Sequence, residues 1–105
     1  APSPIIRVGI TDIYSPDVPA NLVCFKAPDH MLLTWKRVED KDFSHYRVYR
    51  RTERRDEFRL IADKITTNQY KDKKFRRNML YLYTVTSVDN KGNESEYSNI
   101  VKEKF

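Results

Sequence analysis

The sequence predicts an all-β fold, a sandwich of two sheets built from seven strands. Apolar and polar residues alternate with a period of two from residue 20 onward, as in strands with one buried face. The alternating runs are rich in β-branched and aromatic residues, and polar clusters separate them. Seven short strands in a segment of this length imply two packed sheets rather than one.

The first three strands are predicted at 20–26, 30–37 and 45–51. Their inward residues are Leu22 and Cys24, then Met31, Leu33 and Trp35, then Tyr46 and Val48. Trp35, the only tryptophan, is expected to fill the space between the sheets because its strand neighbours alternate inward. Cys24, the only cysteine, has no disulfide partner in the chain and is expected to be a buried, inert thiol.

The last four strands are predicted at 57–62, 67–71, 80–89 and 96–103. The longest of them, at 80–89, alternates Tyr81, Tyr83 and Val85 with Leu82 and Thr84. The chain has 105 residues, which is enough for one domain only. Residues 18–105 are predicted as that domain, and the proline-containing residues 1–17 as a linker or an extra edge strand.

From residue 18 onward the chain resembles the fibronectin type III module. The matching motifs, in order, are Pro19-Ala20-Asn21-Leu22, Trp35, Phe43-Ser44-His45-Tyr46-Arg47-Val48-Tyr49-Arg50, Tyr81-x-Tyr83-x-Val85-x-Ser87-Val88-Asp89, Gly92-Asn93-Glu94-Ser95 and Tyr97-Ser98-Asn99. They most resemble modules appended to secreted bacterial carbohydrate-active enzymes. The resemblance implies an immunoglobulin-like sandwich with Trp35, Tyr46, Tyr81 and Val85 in its core. Tyr81 is then expected to return its hydroxyl to a backbone group, as a tyrosine corner.

No residue set in the sequence predicts catalysis or a cofactor. His30 and His45 have polar neighbours and suggest no Ser-His-acid triad, and glycines at only two positions exclude phosphate-binding loops. Five acidic residues are expected at one pole of the sandwich: Glu39, Asp40, Asp42, Asp89 and Glu94. A solvated loop is favoured there over a weak calcium site, because the spacing is not that of an EF-hand.

Two surface features have alternative interpretations. Asn93-Glu94-Ser95 is a glycosylation sequon, but residues 89–93 are favoured as turn-forming residues between two strands. Four apolar residues fall on the outward phase, where exposed aromatic rings would form a sugar-binding platform: Phe25, Tyr49, Leu82 and Val88. Carbohydrate binding of this kind is not favoured, because the sole tryptophan is expected in the core.

The positive charge of the chain is concentrated in one segment. The net charge is +5, and residues 50–77 alone carry eleven basic and five acidic side chains. The expected topology places two loops of this segment at the same pole, where nine cations would converge on an acidic protein surface or an anionic glycan: Arg50, Arg51, Arg54, Arg55, Lys71, Lys73, Lys74, Arg76 and Arg77. The alternative is a solvated surface, partly neutralised by neighbouring acidic residues. Nucleic acid is not expected as a partner, because no nucleic-acid-binding motif is present.

The resemblance implies a non-catalytic accessory or spacer module of an extracellular multidomain protein, with a bacterial glycoside hydrolase as the favoured parent. Its partners would be neighbouring domains of the same polypeptide. The alternative is a ligand-binding module of an adhesion or receptor protein. No membrane span is expected, since no apolar run approaches the length of about 18 residues that a membrane helix needs.

Overall fold

The structure of the protein is a computed structural model that describes residues 16–105. Most of the predicted linker or edge strand at 1–17 lies outside the described residues. The seven strands are β1 (Ala20–Lys26), β2 (Met31–Lys36), β3 (Phe43–Thr52), β4 (Arg59–Ile65), β5 (Gln69–Asp72), β6 (Leu80–Asp89) and β7 (Val101–Lys104). None of the described residues forms a helix that is long and apolar enough to cross a lipid bilayer.

The strands form two antiparallel sheets, which confirms the predicted fold class. One sheet has the order β1-β2-β5, and the other has the order β4-β3-β6-β7. Each buries one face against the other sheet, so the inward residues of both strand sets meet in one core. The four residues predicted for the core, Trp35, Tyr46, Tyr81 and Val85, are all buried. The rings of Trp35 and Tyr46 meet edge to face, with their centroids 5.2 Å apart.

A second, smaller cluster covers part of the outer face of the four-stranded sheet. Tyr49 and Leu82 belong to the outward phase, yet only 5% and 8% of their surfaces are exposed. Phe58, just before β4, and Tyr97, after β6, lie against them; the centroids of Tyr49 and Tyr97 are 5.4 Å apart. The expectation of outward exposure is therefore wrong for Tyr49 and Leu82, because residues outside the strands cover them.

Two more outward residues have opposite outcomes. Val88 is also buried, with 2% of its surface exposed, beside the bridge that it forms with Glu94. Phe25 is exposed over 56% of its surface, on the open face of the three-stranded sheet. Of the four outward-phase residues considered for a sugar-binding platform, only Phe25 is thus exposed, in keeping with the view that such a platform is not favoured.

The two ends of the described chain lie at opposite poles of the sandwich. Near the start, the carbonyl of Asp17 accepts a hydrogen bond from Ser87, close to the end of β6. At the other end, the carbonyl of Phe105 accepts one from the amide of Asn78, just before the start of β6. The ends are thus separated by most of the length of β6, about 23 Å for seven residues in a strand.

Candidate functional site: a groove bordered by arginines

A groove of about 890 Å³ lies at the pole that holds the C-terminal end of the chain. Three elements border it: the end of β3, the turn that leads into β4, and the segment that enters β6. Five arginines line the groove: Arg50, Arg54, Arg55, Arg59 and Arg76. Four of them belong to the predicted cationic patch, which was expected to converge at this pole.

The pairing of β3 with β6 explains why these loops meet. Thr52 at the end of β3 lies opposite Tyr81 at the start of β6, so the β3–β4 turn and the β5–β6 loop are neighbours. The Tyr81 hydroxyl accepts a hydrogen bond of 2.6 Å from the backbone N–H of Arg76. This is the tyrosine corner that the sequence predicted, and it holds the backbone of the β5–β6 loop beside the groove.

Arg50 is held within the structure by several partners. Its Nη1 donates to Asp72 Oδ2 at 2.8 Å and to the carbonyl of Lys74 at 2.5 Å, and its guanidinium lies over the Tyr81 ring. Burial alone would lower the pKa of Arg50, but the hydrogen bond and the charge of Asp72 raise it above its usual value. Arg50 thus compensates a buried carboxylate, and its charge is already paired.

Asp72 connects the two sheets at this point. Its Oδ2 also accepts a hydrogen bond of 2.6 Å from the Tyr83 hydroxyl, and its Oδ1 accepts the N–H of Lys74. Burial, followed by this hydrogen bond to Asp72, raises the pKa of Tyr83 far above its usual value. The buried charge is therefore paired and hydrogen-bonded, as a buried carboxylate requires.

Arg51 points away from the groove. Its Nη1 donates to the carbonyl of Arg55 at 2.5 Å, and its guanidinium lies 5.3 Å from the centre of the Phe58 ring. Arg51 is not among the residues that line the groove. Its contacts instead hold the β3–β4 turn against the outer face of the sheet.

The remaining four arginines of the groove are exposed: Arg54, Arg55, Arg59 and Arg76. Within residues 16–105, no carboxylate lies within ion-pair distance of their guanidinium groups. Two carboxylates, Asp56 and Glu57, share the lining with them. The site therefore combines guanidinium groups that have no carboxylate partner in the described residues with two acidic side chains.

The other cations of the predicted patch are exposed but do not line the groove: Lys71, Lys73, Lys74 and Arg77. Lys71 lies on β5 opposite Leu32, on the three-stranded sheet. Lys73 lies near enough to Asp29, in the β1–β2 turn, to help lower the pKa of that carboxyl, after the larger effect of its hydrogen bond with His30. Sequence reasoning missed Arg59 because it placed the converging cations in the two loops, whereas Arg59 is the first residue of β4 and lines the groove from the end of a strand.

The acidic residues predicted for the opposite pole do not all lie there together. The carbonyl of Asp42 accepts the N–H of Asn90, which brings the β2–β3 and β6–β7 connections together. Glu94 lies instead on the outer sheet face, where its carboxylate accepts hydrogen bonds from Arg47, Tyr49 and Thr86. No group of three or more His, Cys, Asp or Glu side chains with a metal-binding arrangement occurs in the described part of the chain.

The glycosylation sequon lies in a tight turn. Asp89 accepts hydrogen bonds from the N–H groups of Lys91 and Asn93 and from the Asn93 side chain, and Gly92 has a φ of 85°. Positive φ is the conformation that favours glycine. Ser95 is buried, and its hydroxyl accepts the N–H of Ser87. These residues thus carry the turn chemistry that the sequence analysis favoured.

The structure brings together a Ser-His-Asp set that sequence reasoning did not identify. Ser44 Oγ lies 2.9 Å from His45 Nδ1, and His45 Nε2 lies 3.2 Å from Asp63 Oδ1. The Nε2 atom is buried and not aligned for a hydrogen bond, and Asp63 Oδ1 also accepts a hydrogen bond from Arg47. Burial lowers the pKa of His45 more than the charge of Asp63 raises it. The adjacent Ser44-His45 pair was the available sequence signal, but nothing in the sequence placed Asp63 beside it.

Cys24 is half-buried and lies apart from these groups. Its Sγ donates to Met31 Sδ at 3.6 Å. Burial raises the pKa of the thiol to about 11, and the charges of Glu103 and Asp72 add to the effect. The thiolate is the reactive form of cysteine, so this thiol is unreactive near neutral pH.

Two sheets with the strand orders β1-β2-β5 and β4-β3-β6-β7, joined by a tyrosine corner, define an immunoglobulin-like β-sandwich. Within this class, the chain belongs to the fibronectin type III domain family, whose family model matches residues 17–104. The chain is similar to segments of two amylopullulanases. It is 41% identical over 70 residues, or 67% of the chain, to the enzyme of Thermoanaerobacter thermohydrosulfuricus. It is 29% identical over 87 residues, or 83% of the chain, to that of Thermoanaerobacterium saccharolyticum.

The chain corresponds to only 5% and 7% of the lengths of these two relatives. Among solved structures, a Fn3-like protein from Clostridium thermocellum superposes with a TM-score of 0.74 and 26% identity. That match covers 85% of this chain and 92% of the other. The similarity therefore extends over a whole domain of one relative and over a small part of the two enzymes.

Proposed function

We propose that this chain is a non-catalytic accessory module that spaces the neighbouring domains of a glycoside hydrolase. The observation that carries the proposal is the similarity to short segments of amylopullulanases, one of them at 41% identity. An extracellular or cell-surface location goes with it, because polysaccharides are too large to cross a membrane and are degraded outside the cell.

The positions of the two chain ends suit a spacer. Asp17 contacts the end of β6, and Phe105 contacts the residues before its start. Domains joined at these ends would be held apart by the length of the sandwich. Because β6, which spans the distance between them, is paired with β3 on one side and β7 on the other, the separation would be fixed, unlike that of a Gly/Ser linker.

A segment exchange in the amylopullulanase of Thermoanaerobacter thermohydrosulfuricus tests the spacer role. The matching segment is replaced by this chain, deleted, or replaced by a Gly/Ser linker of equal reach. We expect the exchange to preserve pullulan hydrolysis and thermal stability, and the deletion and the linker to reduce at least one of them. An exchange variant that performs no better than the deletion would contradict the proposal.

The non-catalytic role is tested on the isolated chain. Ser44, His45 and Asp63 are the arrangement closest to a catalytic set, so the substrates include an activated ester as well as starch and pullulan. We expect the wild-type chain and Ser44→Ala to give identical, background rates on every substrate. Turnover that Ser44→Ala abolishes would show instead that the module is an esterase.

A ligand-binding module is the second candidate function. The exposed arginines of the groove, which have no carboxylate partner among residues 16–105, favour it, since a purely structural surface does not need like charges placed together. An adhesion or receptor protein would be the alternative parent. Tandem copies of the module in the parent sequence would support this alternative, and an adjacent catalytic domain would support the accessory role.

A further inference from the structure

We propose that the arginine groove binds a linear acidic polysaccharide that carries carboxylate groups, such as a polyuronate. The proposal goes beyond the accessory role and does not depend on it. The argument rests on the shape of the groove, on its free donors and on its mixed lining.

The shape favours a chain over a folded surface. The groove holds about 890 Å³ between the β3–β4 turn and the segment that enters β6. A folded protein presents a mostly convex surface, which would contact the rims of such a groove and leave its floor empty. An extended polymer can follow the groove along its length, with groups directed to both walls.

The free donors favour an anionic ligand. Arg54 and Arg55 come from the β3–β4 turn, Arg59 from the start of β4 and Arg76 from the β5–β6 loop, and all four are exposed. Each guanidinium presents planar paired donors that match a carboxylate. Arg50 does not contribute, because Asp72 and the Lys74 carbonyl already hold its guanidinium. Its guanidinium lies 4.9 Å from the centre of the Tyr81 ring, so Arg50 has a structural role in the lining.

The mixed lining distinguishes a sugar polymer from other polyanions. Asp56 and Glu57 lie among the arginines and would repel a polymer that carries only negative charge. A uronate residue carries hydroxyl groups beside its carboxylate, and the Asp56 carboxylate can accept their hydrogen bonds. An extended acidic polypeptide offers a single backbone N–H donor with each carboxylate, whereas a uronate residue offers more than one hydroxyl group. The combination of guanidinium and carboxylate groups therefore fits an acidic polysaccharide best.

The experiment measures the affinity of the chain for polygalacturonate by titration calorimetry or affinity electrophoresis. The groove variant combines Arg54→Gln, Arg59→Gln and Arg76→Gln. The matched control combines Lys71→Gln, Lys73→Gln and Arg77→Gln, which lowers the net charge equally but leaves the groove intact. All six side chains are exposed, and circular dichroism spectra establish that both variants are folded.

We expect the groove variant to bind roughly tenfold more weakly than the wild type, since three exposed ion pairs are lost. The control variant should keep most of the affinity. Wild-type binding should weaken as salt rises from about 0.01 M to about 0.15 M, because the Debye length falls from about 30 Å to about 8 Å. Equal losses in both variants would mean that the whole cationic surface acts diffusely, and the groove proposal would be wrong.

Two further ligands test the identity of the polymer. Pullulan, a neutral glucan, should not bind, and poly-L-glutamate should bind more weakly than polygalacturonate at equal carboxylate concentration. Poly-L-glutamate binding of equal or greater strength would overturn the assignment to a sugar polymer and indicate an acidic polypeptide. Absence of polygalacturonate binding by the wild type at low salt would overturn the proposal entirely.

Discussion

At the scale of single residues, Tyr81 determines the geometry of the groove more than any arginine does. Its ring is buried in the core, and its hydroxyl accepts the N–H of Arg76 at 2.6 Å. The same ring lies under the guanidinium of Arg50, which in turn pairs with Asp72. One side chain thus holds the backbone of the β5–β6 loop at Arg76 and lies against Arg50, and both residues line the groove.

The Tyr81→Phe substitution should lower the free energy of unfolding by about 1–2 kcal/mol, because the Arg76 N–H loses its acceptor while the ring packing is kept. Chemical denaturation measures the loss. Tyr70→Phe is the matched control, since the Tyr70 hydroxyl makes no hydrogen bond with the described residues. That control should change stability by less than about 0.5 kcal/mol. Equal effects of the two substitutions would contradict the role of the tyrosine corner.

Asp89 is the residue whose ionisation matters most for the turn after β6. Burial alone would raise its pKa, but hydrogen bonds from Asn93 and Lys91 lower it below the usual value of 3.8. A carboxyl with a lowered pKa in the folded state stabilises the fold above its unfolded pKa. This stabilisation is lost as the pH falls through the folded value.

The Asp89→Ala substitution should therefore destabilise the chain at pH 7, by about 1 kcal/mol, because the N–H groups of Lys91 and Asn93 and the Asn93 side chain lose their acceptor. The difference between the wild type and the variant should shrink as the pH falls below 3.8. Denaturation at a series of pH values measures it. A difference that stays constant down to pH 2, well below that value, would mean that the charge of Asp89 contributes nothing.

At the scale of elements, the last strand is the place where prediction and structure differ most. The alternation predicted a strand at 96–103, but β7 covers only Val101–Lys104. In place of regular strand pairing, two serines form hydrogen bonds with β6. The backbone N–H of Ser95 and of Ser98 each donates to a β6 carbonyl, and the hydroxyl of each accepts a β6 N–H. The segment is thus attached to β6 by side chains where a regular strand would use carbonyls.

The Ser98→Ala substitution tests this attachment. It leaves the buried N–H of Val85 without an acceptor, so we expect a loss of about 1–3 kcal/mol and faster hydrogen exchange at that amide. Thr66→Ala removes an exposed hydroxyl between β4 and β5 and should change stability by less than about 0.5 kcal/mol. Unchanged exchange at Val85 in Ser98→Ala would show that another acceptor takes over.

These elements also define what the sequence could and could not predict. Alternation predicts the bounds of β1, β2 and β6 to within one residue at each end. It succeeds there because one face of each strand is buried, so every second residue is apolar. Alternation fails where residues outside the strands cover a sheet face. Tyr49 and Leu82 belong to the outward phase but are covered by Phe58 and Tyr97. Periodicity describes a strand and not the loops that fold back over it.

The candidate site was predictable to the extent that topology determines it. The convergence of Arg54, Arg55 and Arg76 follows from the antiparallel order of the strands. The pairing of Arg50 with Asp72 and the contact of Arg51 with Phe58 required side-chain positions that no pattern of charges specifies. Sequence reasoning therefore located the surface but did not separate its free cations from those with a structural role.

At the scale of the whole molecule, the distribution of charge links stability to the proposed binding. The net charge is +5, and the exposed arginines of the groove lie close together without carboxylate partners in the described residues. Clustered like charges repel one another and destabilise the compact state. A surface kept in spite of this cost is typical of a binding site, where activity and stability compete.

The salt dependence of stability distinguishes this view from a structural role for the arginines. Raising the salt concentration from about 0.01 M to about 0.15 M screens the repulsion, so the wild type should gain about 0.5 kcal/mol of stability. The combined Arg54→Gln, Arg59→Gln and Arg76→Gln variant should be at least as stable as the wild type at low salt, and it should gain less from added salt. The Lys71→Gln, Lys73→Gln and Arg77→Gln control should keep the salt response of the wild type, because the groove arginines remain. Denaturation curves at the two salt concentrations measure the stability of all three proteins.

If the groove variant instead loses more than about 1 kcal/mol of stability at low salt, well beyond the usual effect of exposed substitutions, its arginines stabilise the fold and the repulsion argument is wrong.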